Sequence, residues 1–358
     1  MTGTALREEL ARWFLHQAEA SDLLGSPLYG RLCRAAAGDA RAGGPVWEVA
    51  EAVAEDELPR PRGGSIPLEI MAAVHRLVLE GEAPELAAHY PSVGGRDGGD
   101  PWPAFRQVLV DHAERLRAAM GRSCQTNEVG RSAALIGGVL LVAAEAGLPL
   151  RLLEIGASAG LNLRLDRFRY ESAHGSWGDP GSPLTLVDRW VSAPPVLDVD
   201  MRVLERRGCD PSPIDPTTEE GRLAISAPIW PDQTDRFERL GAAIEVARAV
   251  PATVDGESAA TWLPRRLSEA ASGTATVVFH SVMLEYMDPP DREAALAAIR
   301  SAGDATGPDA PLAWLRMEPD EGFDEFRVDL TSWPGRRERR LALAHPHGVW
   351  VRWLDASD

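Results

Sequence analysis

The stretch Leu153-Glu154-Ile155-Gly156-Ala157-Ser158-Ala159-Gly160-Leu161-Asn162 carries the residue types best suited to hold a ligand. An apolar run ends on a carboxylate, and two glycines bracket three small residues. Gly156 supplies a backbone angle closed to other side chains. Small residues at 157–160 let a ligand approach the main chain, and the first amides of a following helix are free to meet it. The same turn also reads Gly-x-Ser-x-Gly, the pattern of a serine nucleophile on a strand-to-helix elbow. A second stretch, Val278-Phe279-His280-Ser281-Val282-Met283-Leu284-Glu285-Tyr286, ends an apolar run on an imidazole. His280 is the candidate general base, Glu285 its catalytic companion and Tyr286 a candidate substrate contact. A histidine satisfied inside the core is the alternative, and both readings stay open. A third stretch, Cys124-Gln125-Thr126-Asn127-Glu128-Val129-Gly130-Arg131, sets polar groups before an apolar helix. Buried polar groups need partners, so Gln125, Asn127 and Arg131 are candidate substrate contacts, with a capped, solvated helix start as the alternative.

The elements around these stretches fall into two textures. Residues 1–130 carry helical spacing, with Leu6, Leu10, Trp13 and Phe14 on one opening helix and further helices over 67–80 and 102–120. Gly- and Pro-rich loops are expected at 39–45, 58–64 and 90–103. Beyond residue 130, short apolar strands (150–155, 199–204, 252–254, 275–280, 312–317) alternate with helices (232–250, 258–271, 290–301). That alternation predicts an α/β fold with a doubly wound parallel sheet. Asp232 is placed to cap its own helix. Residues 339–344 and 349–354, joined by His345-Pro346-His347-Gly348, read as a C-terminal antiparallel hairpin. The expected division is a helical N-terminal cap over 1–130 and an α/β domain over 131–358, with an insertion near 170–198. Ligands in such sheets sit outside the carboxyl ends of the strands, which gathers the glycine turn and His280 at one crevice.

Glu154, Gly156 and Gly160 resemble motif I of the class I S-adenosylmethionine-dependent methyltransferases, with Ser158 in place of the middle glycine. The resemblance implies a Rossmann-like sheet and S-adenosylmethionine as cofactor, held by Glu154, Gly156, Ala157, Ser158, Gly160 and Asn162. It also implies a carboxylate for the ribose, for which Asp210 is the first candidate and Asp215 the second, and an adenine contact at Asp255 and Gly256. Capping of the next helix is the alternative role for Asp255. Trp177, Trp190 and Trp230 are candidates for an apolar wall, with core packing the alternative. Taken together, Gln125–Arg131, Glu154–Asn162, Arg207–Asp215, Trp230–Gln233 and His280–Tyr286 resemble a bacterial family catalogued as a domain of unknown function (number 2332).

Composition narrows the chemistry. The chain has 358 residues, a net charge of −17 and no lysine. The missing amine excludes Schiff-base and pyridoxal-phosphate chemistry on lysine and a Walker-type phosphate loop. The acidic balance repels nucleic-acid phosphates, so a small-molecule substrate is expected and no nucleic-acid partner. Apolar runs fall short of the roughly 20 residues of a membrane helix, and the opening residues carry no leader pattern. Cys33, Cys124 and Cys209 form neither a disulfide framework nor a zinc spacing, which suits the cytoplasm and no bound metal. The leading expectation is an S-adenosylmethionine-dependent methyltransferase acting on a small molecule. The alternatives are a nucleotide-like ligand-binding or regulatory protein on the same fold, and a serine hydrolase using Ser158 with Asp309 or Asp320 and His345 or His347.

Overall fold

The computed structural model describes residues 3–57, 66–96, 98–121, 127–269, 272–320 and 325–354. Gln125 and the expected loop at 58–64 lie outside them. In chain order the helices are α1 (Gly3–Leu23), α2 (Pro27–Arg41), α3 (Pro45–Glu57), α4 (Ile66–Leu79), α5 (Pro84–Ala87), α6 (Trp102–Asp111), α7 (Ala113–Ala119), α8 (Ser132–Ala146), α9 (Glu219–Ser226), α10 (Thr234–Ala249), α11 (Ala259–Ser268) and α12 (Pro289–Ala305). The strands are β1 (Leu150–Ile155), β2 (Arg169–Ser172), β3 (Gly175–Trp177), β4 (Thr185–Val187), β5 (Val203–Asp210), β6 (Thr253–Gly256), β7 (Ala275–Ser281), β8 (Leu312–Pro319), β9 (Phe326–Trp333), β10 (Arg337–Ala344) and β11 (Val351–Trp353). They form two compact units, one of residues 1–126 with 218–238, the other of 127–217 with 239–358.

The first unit is helical. Leu6, Leu10 and Phe14 of α1 are buried with Leu28, Leu32, Ile70 and Val74, as the spacing predicts, and Trp230 belongs to this core. Asp232 does not cap the helix that follows it. Its carboxylate accepts from the Leu28 amide at 3.0 Å and from Ser26 Oγ, so it completes the N-terminus of α2 instead. The free amides and positive dipole end of α2 attract that carboxylate across 204 residues of sequence.

His75 of α4 is fully buried between Tyr90 and Phe237. Its Nδ1 lies 3.0 Å from Ala227 O, so it carries the proton, and Nε2 lies 2.8 Å from Ser92 Oγ. Burial of the charged form lowers its pKa from 6.5 to about 4. The unfolded chain therefore binds more protons between those values, and stability is lost as pH falls through them. We expect this one group to cost about 2 kcal/mol by pH 5. Hydrogen exchange across α4 at pH 7.5 and pH 5, corrected for intrinsic rates, measures the loss. His75→Gln should flatten it.

The second unit is a mixed α/β structure around a large sheet, ordered β11-β10-β9-β8-β7-β1-β5-β6. The five strands from β8 to β6 run parallel, and β9, β10 and β11 continue the sheet antiparallel. All six residues of β1 are buried at the sheet centre, Arg151 and Glu154 along with its four apolar residues. Along β8 the side chains alternate. Leu312 and Trp314 pack with α11 and α12, while Leu315 approaches Gly138 of α8. Helices therefore cover both faces. The apolar run 129–146 has the length and composition to cross a membrane, but it is mostly buried against this sheet, where Gly137 and Gly138 admit Trp353 and Leu315.

The expected terminal hairpin is present as β10 and β11, and β9 is a further antiparallel strand ahead of it. The strand expected at 199–204 instead runs Val203–Asp210. The insertion folds as a small sheet, β3-β2-β4, in which β2 pairs with both neighbours. Trp190 stacks on Tyr170 with centroids 5.7 Å apart and donates to Ala133 O. Trp177 donates to Val199 O. Trp177 and Trp190, expected in an apolar wall, serve packing within this unit, as Trp230 does in the first.

Candidate functional site

From β1 the chain passes to β5 and β6 on one side and returns to β7 on the other. The carboxyl ends of β1 and β7 thus border the point where the winding reverses, where a crevice forms in open sheets. The glycine turn leaves β1 at that point. Gly156, Ser158 and Gly160 all adopt the left-handed region, with φ of +65°, +50° and +63°. The helix expected next is only a short 3-10 run, Asn162–Arg167, broken at Arg164. Arg164 turns inward and donates to Gly160 O and Val250 O, which diverts the chain from a longer helix. No helix terminus is available here to present free amides.

Two side chains from outside the turn hold it. Asn127 donates from Nδ2 to Ser158 Oγ and accepts from the Ala159 amide, both at 3.0 Å. Asp210 stands at the carboxyl end of β5, next to the turn, and is buried. Its two oxygens accept from the amides of Ser158 and Ser212, each at 2.9 Å. It therefore braces the turn rather than standing open to ribose hydroxyls. Asp215 is exposed and accepts from Thr217. Ala157 is buried, and its amide donates to Cys209 O.

Glu154 sits beneath the turn with 4% of its surface exposed. Burial drives its pKa well above the usual carboxylate range, Arg164 opposes that shift, Asp210 adds to it and the Leu163 amide opposes it. Its Oε2 has no hydrogen-bond partner among the described residues, and neither has Oδ1 of the buried Asn162. Two buried oxygens without partners at the same turn are costly unless a ligand group meets them.

The other proposed contacts distribute differently. Asp255 is bound by Arg207 through two nitrogens at 2.7 and 2.8 Å and by Trp262 Nε1 at 2.6 Å, and Arg207 lowers its pKa. Its carboxylate is committed, and Ser258, not Asp255, caps α11. Gly256 ends β6 beside Pro213 without crowding. His280 is completely buried. Trp314 Nε1 donates to its Nε2 at 3.0 Å, so the proton lies on Nδ1, which donates to Glu318 Oε1 at 2.6 Å. Both nitrogens are used inside the protein. The expectation of a base facing the crevice gives way to a histidine that orients Glu318.

Glu318 itself was not legible as a site residue. It is the penultimate residue of β8 and also accepts from the Met283 amide. Glu285 lies near it, and burial and the Glu318 charge raise its pKa while Tyr286 and Arg131 oppose the rise. Tyr286 is exposed. Arg131, buried, donates to Pro346 O at 2.8 Å and to Ser281 O at 3.4 Å, tying the β10–β11 turn to the end of β7. Val282 between them has φ +52°, a strained angle for a branched side chain. No three His, Cys, Asp or Glu side chains meet as metal ligands among the described residues.

Neither a curated protein nor a solved structure matches the chain. A family model described as an uncharacterized protein conserved in bacteria, DUF2332, matches residues 11–353. With nearly its whole length matched, the chain belongs to the DUF2332 family.

Proposed function

We propose that the protein is an S-adenosylmethionine-dependent methyltransferase acting on a small molecule, its α/β unit being Rossmann-like and its helical unit an accessory module. The observation that carries this reading is the pair of buried oxygens, Glu154 Oε2 and Asn162 Oδ1, left without hydrogen-bond partners at the glycine turn. They fit the ammonium at the methionine end of the cofactor, which brings three N–H donors and a positive charge. Gly156, Ala157, Ser158 and Gly160 would carry the main chain past it. When bound, S-adenosylmethionine supplies a methyl group on a sulfonium, and the carbon–sulfur electron pair stays on sulfur as the acceptor's lone pair takes the methyl. The chain's own part is to orient: Asn127 and Asp210 fix the turn, and Glu318, aligned by His280, lies with Glu285 by the carboxyl ends of β8 and β7. In this reading Asp210 acts by bracing the turn amides and Asp255 by holding Arg207 and Trp262.

Calorimetric titration with S-adenosylmethionine and S-adenosylhomocysteine tests the proposal. Micromolar binding of both is expected, and folded protein that binds neither overturns it. One observation favours a serine hydrolase instead: Ser158 holds φ +50° in its Gly-x-Ser-x-Gly turn. Its Oγ accepts from Asn127, and this reading would draw its histidine from His345 or His347. Labelling of Ser158 by a fluorophosphonate would promote that reading.

A further inference from the structure

The sheet of the second unit is packed unevenly beneath α11 and α12. Toward the carboxyl ends of the strands, Val278 and Trp314 join Trp262 and Ile299 in one apolar core. At the amino ends, Arg151 of β1, Thr276 of β7 and Leu312 of β8 lie side by side in register. Over them α12 presents only single methyl groups, from Ala294, Ala298, Ala302 and Ala305 at helical spacing. Leu267, in the last turn of α11, forms the facing wall. Between the two helices and the strand ends a groove of about 700 Å³ is left, a size typical of small-molecule sites.

The floor of this apolar groove is polar. Thr276 is only 5% exposed, yet its hydroxyl makes no hydrogen bond among the described residues. A buried hydroxyl in that condition is costly until a partner reaches it. Arg151, equally buried, donates from Nε to Glu205 at 2.7 Å and from Nη2 to Glu269 at 3.2 Å. Its Nη1 has no partner among the described residues. Arg266 binds the same two carboxylates, so two guanidinium charges are matched by two carboxylates. The floor thus offers donors without a net positive charge.

We infer that the groove is a second ligand site, at the end of the strands opposite the glycine turn, for an uncharged molecule with an apolar body and a carbonyl head. The carbonyl oxygen accepts from Thr276 Oγ1 and Arg151 Nη1, and the apolar body lies along the alanine face of α12 against Leu267 and Leu312. A carboxylate head would add a third negative charge beside Glu205 and Glu269, and an ammonium head would meet Arg151.

The test uses octanamide, octanoate and octylammonium as matched probes, followed through the Leu267 and Leu312 methyl signals in leucine-labelled protein by NMR. Octanamide should shift both signals with a Kd of about 0.3 mM, and the two charged probes should bind at least about 10-fold more weakly. Thr276→Val keeps the shape but removes the hydroxyl and should weaken octanamide about 5-fold. Ala302→Leu fills the groove and should abolish the shifts, the remaining leucine signals reporting that the variant is folded. No shift with 5 mM octanamide, octanoate binding as tightly as octanamide, or unchanged affinity in Thr276→Val overturns the assignment. Binding that survives in folded Ala302→Leu overturns it as well.

Discussion

Glu154→Gln is expected to weaken S-adenosylmethionine binding by about 100-fold and, in the free protein, to raise stability at alkaline pH. The two effects share one cause. Burial with Asp210 nearby holds the carboxyl neutral well above its ordinary pKa of 4.5. In that window the folded state binds the extra proton, so stability falls as pH rises from about 4.5 toward the raised value. An amide never ionises, so the gain from Glu154→Gln should be absent at pH 4.5 and grow with pH. For a cationic ligand the sign reverses. The ammonium recharges the carboxylate, and losing that buried charge pair costs 2–5 kcal/mol, from which the 100-fold follows. Binding should also tighten with pH in the native protein and lose that dependence in the variant. Urea unfolding at pH 5 and pH 8, beside calorimetry at both, separates the two halves. Undiminished affinity in the variant would remove Glu154 from the site.

Gly348→Ala should destabilise the second unit by about 4 kcal/mol, several times the cost of an ordinary left-handed glycine. An added Cβ would lie 2.0 Å from Gly130 O and 2.2 Å from Gly130 C, both main-chain atoms with nowhere to retreat. Gly348 also holds φ +62°. Gly147 isolates that second component, since it has φ +61° and nothing within 4 Å of the added carbon. Gly147→Ala should therefore cost only about 1 kcal/mol. Comparing urea midpoints of the two variants measures the collision alone. If they match, the β10–β11 turn does not rest on residue 130 as tightly as its geometry requires.

Much of the sheet was legible because its signals are local. β1 is a mostly apolar run stopped by glycine, and 150–155 is its observed extent. β9 also carries a local signal, with buried Phe326, Val328 and Leu330 alternating with Arg327 and Asp329, although no strand was expected there. Glu154 could be found from its place before the glycines, whereas its orphaned oxygen depends on how Arg164 and Leu163 turn around it. Asp232 followed the local rule for a cap and yet serves α2, because the acceptor-hungry helix end is supplied by distant chain. His280 lies where the strand pattern put it. Its chemistry was decided by Trp314 and Glu318, two residues of the neighbouring strand that no spacing along β7 can announce.

The return of residues 218–238 to the helical unit bears on how the chain matures during synthesis. A ribosome emits the chain from its amino end at roughly 5–20 residues per second. The helices through α7 emerge first, but the carboxylate that completes α2 and the carbonyl that accepts from His75 emerge only with Asp232 and Ala227. Between them pass all of 127–217, including β1 through β5. The amino-terminal helices must therefore wait roughly 5–20 seconds in an unfinished state while half of another core is delivered. The two units cannot mature strictly one after the other, and a nascent chain halted near residue 130 holds a helical core still missing its last pieces.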